Sequence, residues 1–448
     1  MNNRIWKYHL LAISLVPFLF AACVAEADQP SDTELAGISL FAILNQPSGW
    51  ERQEVQSGSI SIPVQGSTTR NFSYSPTCSG RIGTNADYAF FVKPGDSNLM
   101  IHFMGGGACW DADNCTGADA TATYIPELSI FGSLNREIVA SRVATGILSS
   151  TDTRNSLSGY TKIYIPYCTG DVHQGSNDQV YTDPVTGNPT TIHHRGFDNF
   201  LAVLQYLKTN YPSSNVGRVV VVGQSAGASG ALFNFPYIKE TYRSNGTHLI
   251  MDGTAGVSAS ATQKSQSVTN WGSGSNAPDW IAGISSAGMS TITMGNFIQS
   301  VANHYSTTRI SQVNSAFDGP QRFMYNVGLL LDSGKAYVPD STMWGGNVRN
   351  LSAYAVADSV SCDWHDAMEA ERSTAAGAAN YRSFTSPGDL HVLTQDSYYF
   401  SVTGSDNLVL SGWISLMVND SGGWTSKNCT ACSPPVTQES SPAALNCP

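Results

Sequence analysis

The segment 219–227, V-V-V-V-G-Q-S-A-G, constrains the fold of this chain more than any other. Four consecutive valines are typical of a parallel strand that is buried on both faces. The glycines and serine that follow predict a tight turn, and residues 227–242 predict a helix after it. A G-x-S-x-G turn between a strand and a helix pushes a serine hydroxyl out of the end of a sheet. We therefore interpret Ser225 as a candidate nucleophile.

Segments on both sides of this turn alternate between strand and helix patterns. Residues 97–104, 162–167 and 248–251 predict strands, and apolar residues at helical spacing predict a helix over 194–207. This alternation favours an α/β class with a mostly parallel central sheet flanked by helices. Because no internal boundary is evident after residue 50, we expect one catalytic domain over residues 46–432.

A run of three glycines, residues 105–107, follows the apolar segment 99–103. Ester hydrolysis passes through a tetrahedral oxyanion, and each preorganised N–H donor lowers the barrier by about 3 kcal/mol. Glycines let the backbone approach that oxygen closely. A glycine run upstream of G-x-S-x-G is typical of lipases and esterases.

A serine nucleophile needs a base and an acid later in the chain, in the order Ser, Asp, His. His391 follows Ser-Pro-Gly at 386–388 on a predicted loop, which favours it as the base, with His365 as the alternative. Asp318 precedes Gly-Pro at a predicted strand end, where a carboxylate can hold the imidazole tautomer. Asp332 is the second candidate for the acid.

Five short motifs occur in order at 105–110 (GGGACW), 165–171 (IPYCTGD), 223–227 (GQSAG), 314–318 (NSAFD) and 388–391 (GDLH). Together they resemble the pectin acetylesterase/Notum family. The resemblance implies an α/β-hydrolase fold, extracellular deacylation and a triad of Ser225, Asp318 and His391. It also implies an oxyanion hole made of backbone N–H groups, those of Gly107, Ala108 and Ala226.

Other residues near these motifs are candidates for substrate contact. Asp171 and His173 follow a predicted strand end, where they could line a cleft, and Trp110 is a candidate substrate platform. The acidic spacing at 111–114 lacks the terminal glutamate of an EF-hand, so we expect no metal. The predicted chemistry requires no cofactor.

The N-terminus predicts export. Arg4 and Lys7 precede the apolar run 10–22, which indicates a signal peptide over residues 1–23. An A-x-A-like site at 25–27 competes with a lipobox-like site at 20–23, which would make Cys23 a lipidated membrane anchor. Residues 24–45 read as a linker, and 433–448 as a Pro/Ser-rich tail. We therefore expect a secreted or cell-envelope protein.

The cysteine count agrees with an oxidising compartment. There are nine cysteines, and removing Cys23 leaves an even number that can form disulfides. Cys109 with Cys115 and Cys429 with Cys432 are close enough in sequence to form local disulfide loops.

The net charge of −11 and the lack of any Lys/Arg run exclude a nucleic-acid-binding role. The sequence favours a secreted, monomeric serine esterase that removes acetyl or other short acyl groups from an extracellular polysaccharide such as pectin, through an acyl-enzyme on Ser225. A polyester depolymerase or general carboxylesterase is the alternative, because pectin is itself a polyanion. A non-catalytic binding module on a hydrolase scaffold is the alternative of another class.

Overall fold

The computed structural model describes residues 49–65, 68–117, 123–128, 145–334, 356–429, 432 and 447. All of these residues belong to one compact unit that spans residues 46–448. The predicted signal peptide with Cys23, the predicted linker 24–45 and the predicted tail 433–448, apart from Cys447, lie outside the described residues.

The described ranges contain the following strands, numbered along the chain: β1 (Glu51–Glu54), β2 (Gly58–Pro63), β3 (Thr69–Tyr74), β4 (Ala89–Lys93), β5 (Leu99–Phe103), β6 (Thr161–Ile165), β7 (Asn177–Thr182), β8 (Pro189–His194), β9 (Arg218–Gln224), β10 (Gly246–Asp252), β11 (Arg309–Ser315), β12 (Tyr381–Ser386) and β13 (Lys427–Asn428). The α-helices there are α1 (Ala112–Thr116), α2 (Gly196–Asn210), α3 (Ala226–Thr241), α4 (Ala261–Trp271), α5 (Met294–His304), α6 (Gly319–Asp332), α7 (Asp358–Ala375) and α8 (Leu410–Val418).

Nine of the strands in the described ranges form the central sheet, in the order β1-β4-β6-β5-β9-β10-β11-β12-β13. The pairs β1–β4 and β4–β6 are antiparallel. Every other neighbouring pair in this sheet is parallel. Two antiparallel hairpins, β2–β3 and β7–β8, lie outside it. The chain therefore has the α/β-hydrolase fold, with the mostly parallel sheet that the sequence predicts.

Strand β9 occupies the middle of this sheet, and its valines are completely buried on both faces. Val219 and Val221 pack in one hydrophobic cluster with residues of α2 and α3. Val220 and Val222 pack in the cluster on the opposite face, with residues of α8. Burial of each such side chain contributes roughly 1.5–3 kcal/mol, so the valine run anchors the strand that leads to Ser225.

Disulfides close four loops among the described residues. They join Cys78 to Cys168, Cys109 to Cys115, Cys362 to Cys447 and Cys429 to Cys432. The two local pairs are those that the sequence spacing suggests. No helix in the described ranges combines the length and apolar character needed to cross a bilayer.

Candidate active site

Ser225 lies in the turn between β9 and α3 and has φ 55° and ψ −127°, a backbone conformation that side-chain-bearing residues rarely adopt. The turn is very tight. A Cβ on Gly223 would lie 2.1 Å from the Gly227 carbonyl oxygen, and a Cβ on Gly227 would lie 2.1 Å from the Phe103 carbonyl oxygen. Only glycine fits at either position, so the G-x-S-x-G spacing follows from packing.

The glycine run leaves β5 directly beside this turn. A Cβ on Gly105 would lie 2.7 Å from the Cβ of Ser225. Gly107 forms an isolated antiparallel bridge with Tyr124. Hydrogen bonds flank this bridge on both sides, from Ala108 N–H to Thr123 O and from Ile125 N–H to Gly106 O. In such a pair the Gly107 N–H points away from Tyr124.

The backbone of Ala108 differs from the expectation. Its N–H donates to the Thr123 carbonyl oxygen at 2.9 Å, so this amide is already engaged. The expected role of Ala108 as an oxyanion donor is therefore corrected. The Ala226 N–H is at the first position of α3, where a helix provides no acceptor for its amides. Gly107 and Ala226 are the remaining candidate donors.

His391 and Asp318 are paired. Asp318 directly precedes α6, is fully buried, and accepts a hydrogen bond from Gln321 N–H at 3.1 Å. The Nδ1 atom of His391 lies 2.9 Å from Oδ1 and 2.8 Å from Oδ2 of Asp318. Because the carboxylate can only accept, Nδ1 carries the hydrogen, and Nε2 is left as the basic nitrogen.

The end of β10 brings this pair and the serine turn together. The Asp252 carbonyl oxygen accepts the Ser225 N–H at 2.7 Å. At the next residue, a Cβ on Gly253 would lie 3.1 Å from the Cε1 of His391. Ser225, Asp318 and His391, which are far apart in sequence, therefore surround one strand end.

The alternative acid and base lie elsewhere. The Nδ1–H of His365 donates to the Ala316 carbonyl oxygen at 2.7 Å, and the ring stacks on Phe317. Asp332 is exposed at the last residue of α6, at the opposite end of the helix from Asp318. The geometry therefore favours Asp318 and His391.

Asp171 and His173 are buried and contact backbone groups, in contrast to the expected position on a cleft surface. Asp171 accepts hydrogen bonds from the N–H groups of His173, Gly175 and Gly196, and burial raises its pKa to about 6. The Nε2–H of His173 donates to Met104 O at 2.8 Å, and burial lowers the pKa of this histidine to about 4. His173 thus supports the segment that leads into the glycine run, and Asp171 holds the backbone around His173.

Trp110 is also buried, whereas the sequence suggested a substrate platform. Its ring packs in a cluster with Trp271, Phe323 and Val327. The partly buried members of this cluster include Ala108, Val172 and Met324. These three side chains define an apolar patch, and its member Ala108 directly follows the glycine run.

The hydrogen bonds that Asp252 and Gln224 form beside His391 were not evident from the sequence. The Asp252 side chain accepts hydrogen bonds from the backbone of Leu393 and from Thr394, just after His391. Gln224 Nε2 donates to Thr394 Oγ1. The sequence signal that could have indicated these residues is their position: Asp252 ends the strand beside β9, and Gln224 directly precedes Ser225.

Within the described ranges, one group of side chains has the spacing of metal ligands: Cys109, Cys115 and His194. The two cysteines form a disulfide. The ring nitrogens of His194 contact the Thr169 carbonyl oxygen and the Tyr181 hydroxyl. These atoms are engaged, so the group does not provide a site for a metal in this state.

Comparisons with known proteins agree with this architecture. The family model described as pectinacetylesterase matches residues 82–271. The palmitoleoyl-protein carboxylesterase NOTUM of Schmidtea mediterranea is 27% identical over 155 residues, which are 34% of this chain and 27% of that protein. The chain thus matches only about a quarter of the length of this relative.

Among solved structures, the Wnt deacylase Notum from Drosophila has a similar fold. The TM-score is 0.54 at 15% sequence identity, and the match covers 87% of this chain and 100% of the Notum chain. At this level of identity the similarity concerns the fold. Taken together with the family model and the planarian relative, it supports the resemblance to the pectin acetylesterase/Notum family that the sequence motifs indicate.

Proposed function

We propose that this protein is an exported carboxylic-ester hydrolase that carries its acyl group on Ser225 during turnover. One observation supports this most strongly. The strained serine turn and the His391–Asp318 pair meet at the same end of β10, beside the glycine run. A nucleophile, an oriented base and backbone donors are the groups that acyl transfer requires.

In the proposed reaction, Nε2 of His391 takes the proton from Ser225 Oγ as that oxygen attacks the ester carbonyl carbon. Asp318 keeps the ring in the required tautomer and stabilises the imidazolium. The N–H groups of Gly107 and Ala226 stabilise the negative oxygen of the tetrahedral intermediate. The imidazolium then protonates the leaving alcohol. In the second half of the reaction, Nε2 of His391 takes a proton from water as the water attacks the acyl-enzyme carbonyl carbon. The imidazolium then returns this proton to Ser225 Oγ, and the carboxylic acid is released.

The proposed substrate is a short acyl ester on an extracellular carbohydrate. The match to the pectinacetylesterase model supports an acylated polysaccharide. The apolar patch beside the glycine run suits the hydrocarbon part of an acyl group. A net charge of −11 instead favours an uncharged ester over a polyanion such as pectin, which keeps a polyester or general carboxylesterase activity as the second candidate.

Export is part of the proposal. Four disulfides among the described residues favour an oxidising compartment. The basic and apolar residues of segment 1–23 favour a signal peptide. A lipidated Cys23 would tether the enzyme to a membrane.

The central test is replacement of the nucleophile. We expect Ser225→Ala to abolish turnover of p-nitrophenyl acetate and to prevent covalent labelling by a fluorophosphonate. Ser229→Ala removes a hydroxyl one turn later in the same helix, where it contacts Thr254, and serves as the matched control. Labelling mapped to another residue, or turnover retained by Ser225→Ala, would contradict the proposal.

Substrate class requires a separate panel. Acetate release from acetylated xylan and pectin, compared with clearing of an aliphatic polyester emulsion, distinguishes the two candidate activities. Esters of increasing acyl length measure how much hydrocarbon the apolar patch accepts. Carbohydrate binding without any turnover by the wild-type protein would instead indicate a binding module.

A further inference from the structure

We propose that Asp252, Thr394 and Gln224 form a positioning network that holds the His391 loop against the Ser225 turn. This inference rests on the proposed function, because it concerns the geometry of the same base and nucleophile. None of the three residues has a role in the acyl-transfer steps themselves.

Asp252 is hydrogen-bonded on both sides of the site. It is the last residue of β10 and is completely buried. Its carboxylate accepts from Leu393 N–H at 3.1 Å, from Thr394 N–H at 2.6 Å and from the Thr394 hydroxyl at 2.5 Å. Its carbonyl oxygen accepts the Ser225 N–H at 2.7 Å. Asp252 thus forms hydrogen bonds both to the turn of the nucleophile and to the loop that carries the base.

Gln224 closes the network into a ring. Its Nε2 donates to Thr394 Oγ1 at 2.9 Å, and it is covalently joined to Ser225. The Thr394 hydroxyl therefore accepts from Gln224 and donates to Asp252. A single hydroxyl thus connects the strand beneath the nucleophile with the loop of the base, and any displacement of the loop breaks at least one of these bonds.

The His391 loop needs such support because its backbone is strained. Val392, a β-branched residue, has φ 62°. Side-chain-bearing residues in this region cost about 1–3 kcal/mol and persist only where their surroundings hold them. The bonds from Asp252 act on the two residues that directly follow Val392. Without them, we expect the loop to relax and the ring of His391 to move from its position.

The chemistry of the network matches an ionised carboxylate. All three groups that contact the Asp252 side chain are donors, and an amide in its place would set an N–H group against one of them. Although burial raises the pKa of Asp252 to about 6, the group remains ionised at neutral pH.

The kinetic test compares Asp252→Asn with the wild-type enzyme. We expect kcat to fall roughly 100-fold with KM little changed, since a base displaced by about 1 Å loses its alignment with the nucleophile. Glu240→Gln is the matched control. Glu240 is a buried carboxylate bonded to Tyr305, about 22 Å along α3 from Ser225. A kcat for Asp252→Asn equal to that of the control would overturn the inference.

Thr394 provides a second pair of variants in case Asp252→Asn does not fold. Thr394→Ser retains the hydroxyl, and we expect a kcat within about threefold of wild type. Thr394→Val keeps the shape but removes the hydrogen bonds of the hydroxyl to Asp252 and Gln224, whereas the backbone N–H at this position can still donate to Asp252. We expect its kcat to fall at least tenfold relative to Thr394→Ser. Equal rates for the two variants would contradict the network.

Amide hydrogen exchange separates this inference from the proposed function. We expect the N–H groups of Leu393 and Thr394 to exchange at least tenfold faster in Asp252→Asn than in Glu240→Gln, whether or not a tested ester is turned over. Unchanged exchange would overturn the network. A protein that hydrolyses no ester but shows the faster exchange would refute the proposed function and leave the network intact.

Discussion

Ser225 and Gly107 show at the scale of single residues how the candidate site depends on backbone geometry. Ser225 has φ 55° and Gly107 has φ 75°, in a region that favours glycine. The sequence pattern predicts the first of these, because G-x-S-x-G after a buried strand implies a tight turn. It does not predict that Thr123 engages the Ala108 amide, since that contact comes from a segment 15 residues away.

The orientation of the Gly107 amide gives a prediction at this scale. In Gly107→Ala, the new Cβ would lie 1.9 Å from the Thr123 carbonyl oxygen, so the bridge must open and the donor must move. We expect kcat to fall by about 100-fold, the effect of losing one oxyanion donor. The measurement is steady-state kinetics on p-nitrophenyl acetate.

Gly187→Ala is the control for backbone strain alone. Gly187 has φ 72° and no heavy atom within 4 Å of a built Cβ. It lies between β7 and β8, outside the site. We expect this variant to keep its turnover. A similar loss of kcat in both variants would assign the effect to general strain and not to the oxyanion donor.

At the scale of elements, predictability depends on where polar residues are buried. The valine run predicts β9 and the turn after it. The sequence of β11, R-I-S-Q-V-N-S, lacks such a run, so the sequence predicts a strand end near Asp318 but not the range of this strand. Its buried Gln312 is satisfied by the Thr254 carbonyl oxygen and the Tyr381 hydroxyl, partners that exist only in the folded sheet. The helix expected over 194–207 begins instead at Gly196, because His194 is the last residue of β8 and pairs with β7.

Asp318 links helix α6 to the candidate chemistry, because it caps the first turn of this helix and also contacts His391. Asparagine and aspartate cap helices about equally well, whereas alanine costs about 1 kcal/mol. We therefore expect Asp318→Asn to lower kcat by about 10⁴-fold, through the wrong imidazole tautomer. Asp318→Ala should lose activity to a similar extent and also be about 1 kcal/mol less stable than Asp318→Asn.

Urea denaturation and steady-state kinetics on both variants separate the two roles of Asp318. The difference in the free energy of unfolding between Asp318→Asn and Asp318→Ala reports the helix cap. The loss of kcat that they share reports the contact with His391. Near-wild-type turnover by Asp318→Asn would show that the Asp318 carboxylate does not orient the base.

At the scale of the whole molecule, several buried ionisable groups determine the response to acid. Burial lowers the pKa of His304 and, more strongly, that of four other histidines, to about 3 for His102 and about 4 for His173, His194 and His248. Burial also raises the pKa of two carboxyl groups, those of Asp171 and Asp252, to about 6. The sequence indicates none of these shifts, because each depends on the depth at which the fold places the side chain.

These shifts predict that the protein loses stability as the pH falls from 6.5 towards 4. In this window the unfolded chain protonates four histidines that stay neutral in the fold. In the same window the folded state takes up a proton on only two carboxyl groups, those of Asp171 and Asp252, which remain ionised in the unfolded chain. The unfolded state binds more protons, so the free energy of unfolding decreases. Thermal unfolding measured across this window should give a Tm that falls; a rising Tm would show that the carboxyl groups dominate.

The order in which the site residues occur along the chain has a consequence for biosynthesis. The glycine run comes first, the serine turn more than 100 residues later, and the base only at residue 391. A ribosome therefore delivers the nucleophile long before the group that activates it. If the proposed chemistry holds, the nascent polypeptide stays inert towards cellular esters until the segment that contains His391 has been synthesised, and a fragment truncated upstream of this histidine lacks the base.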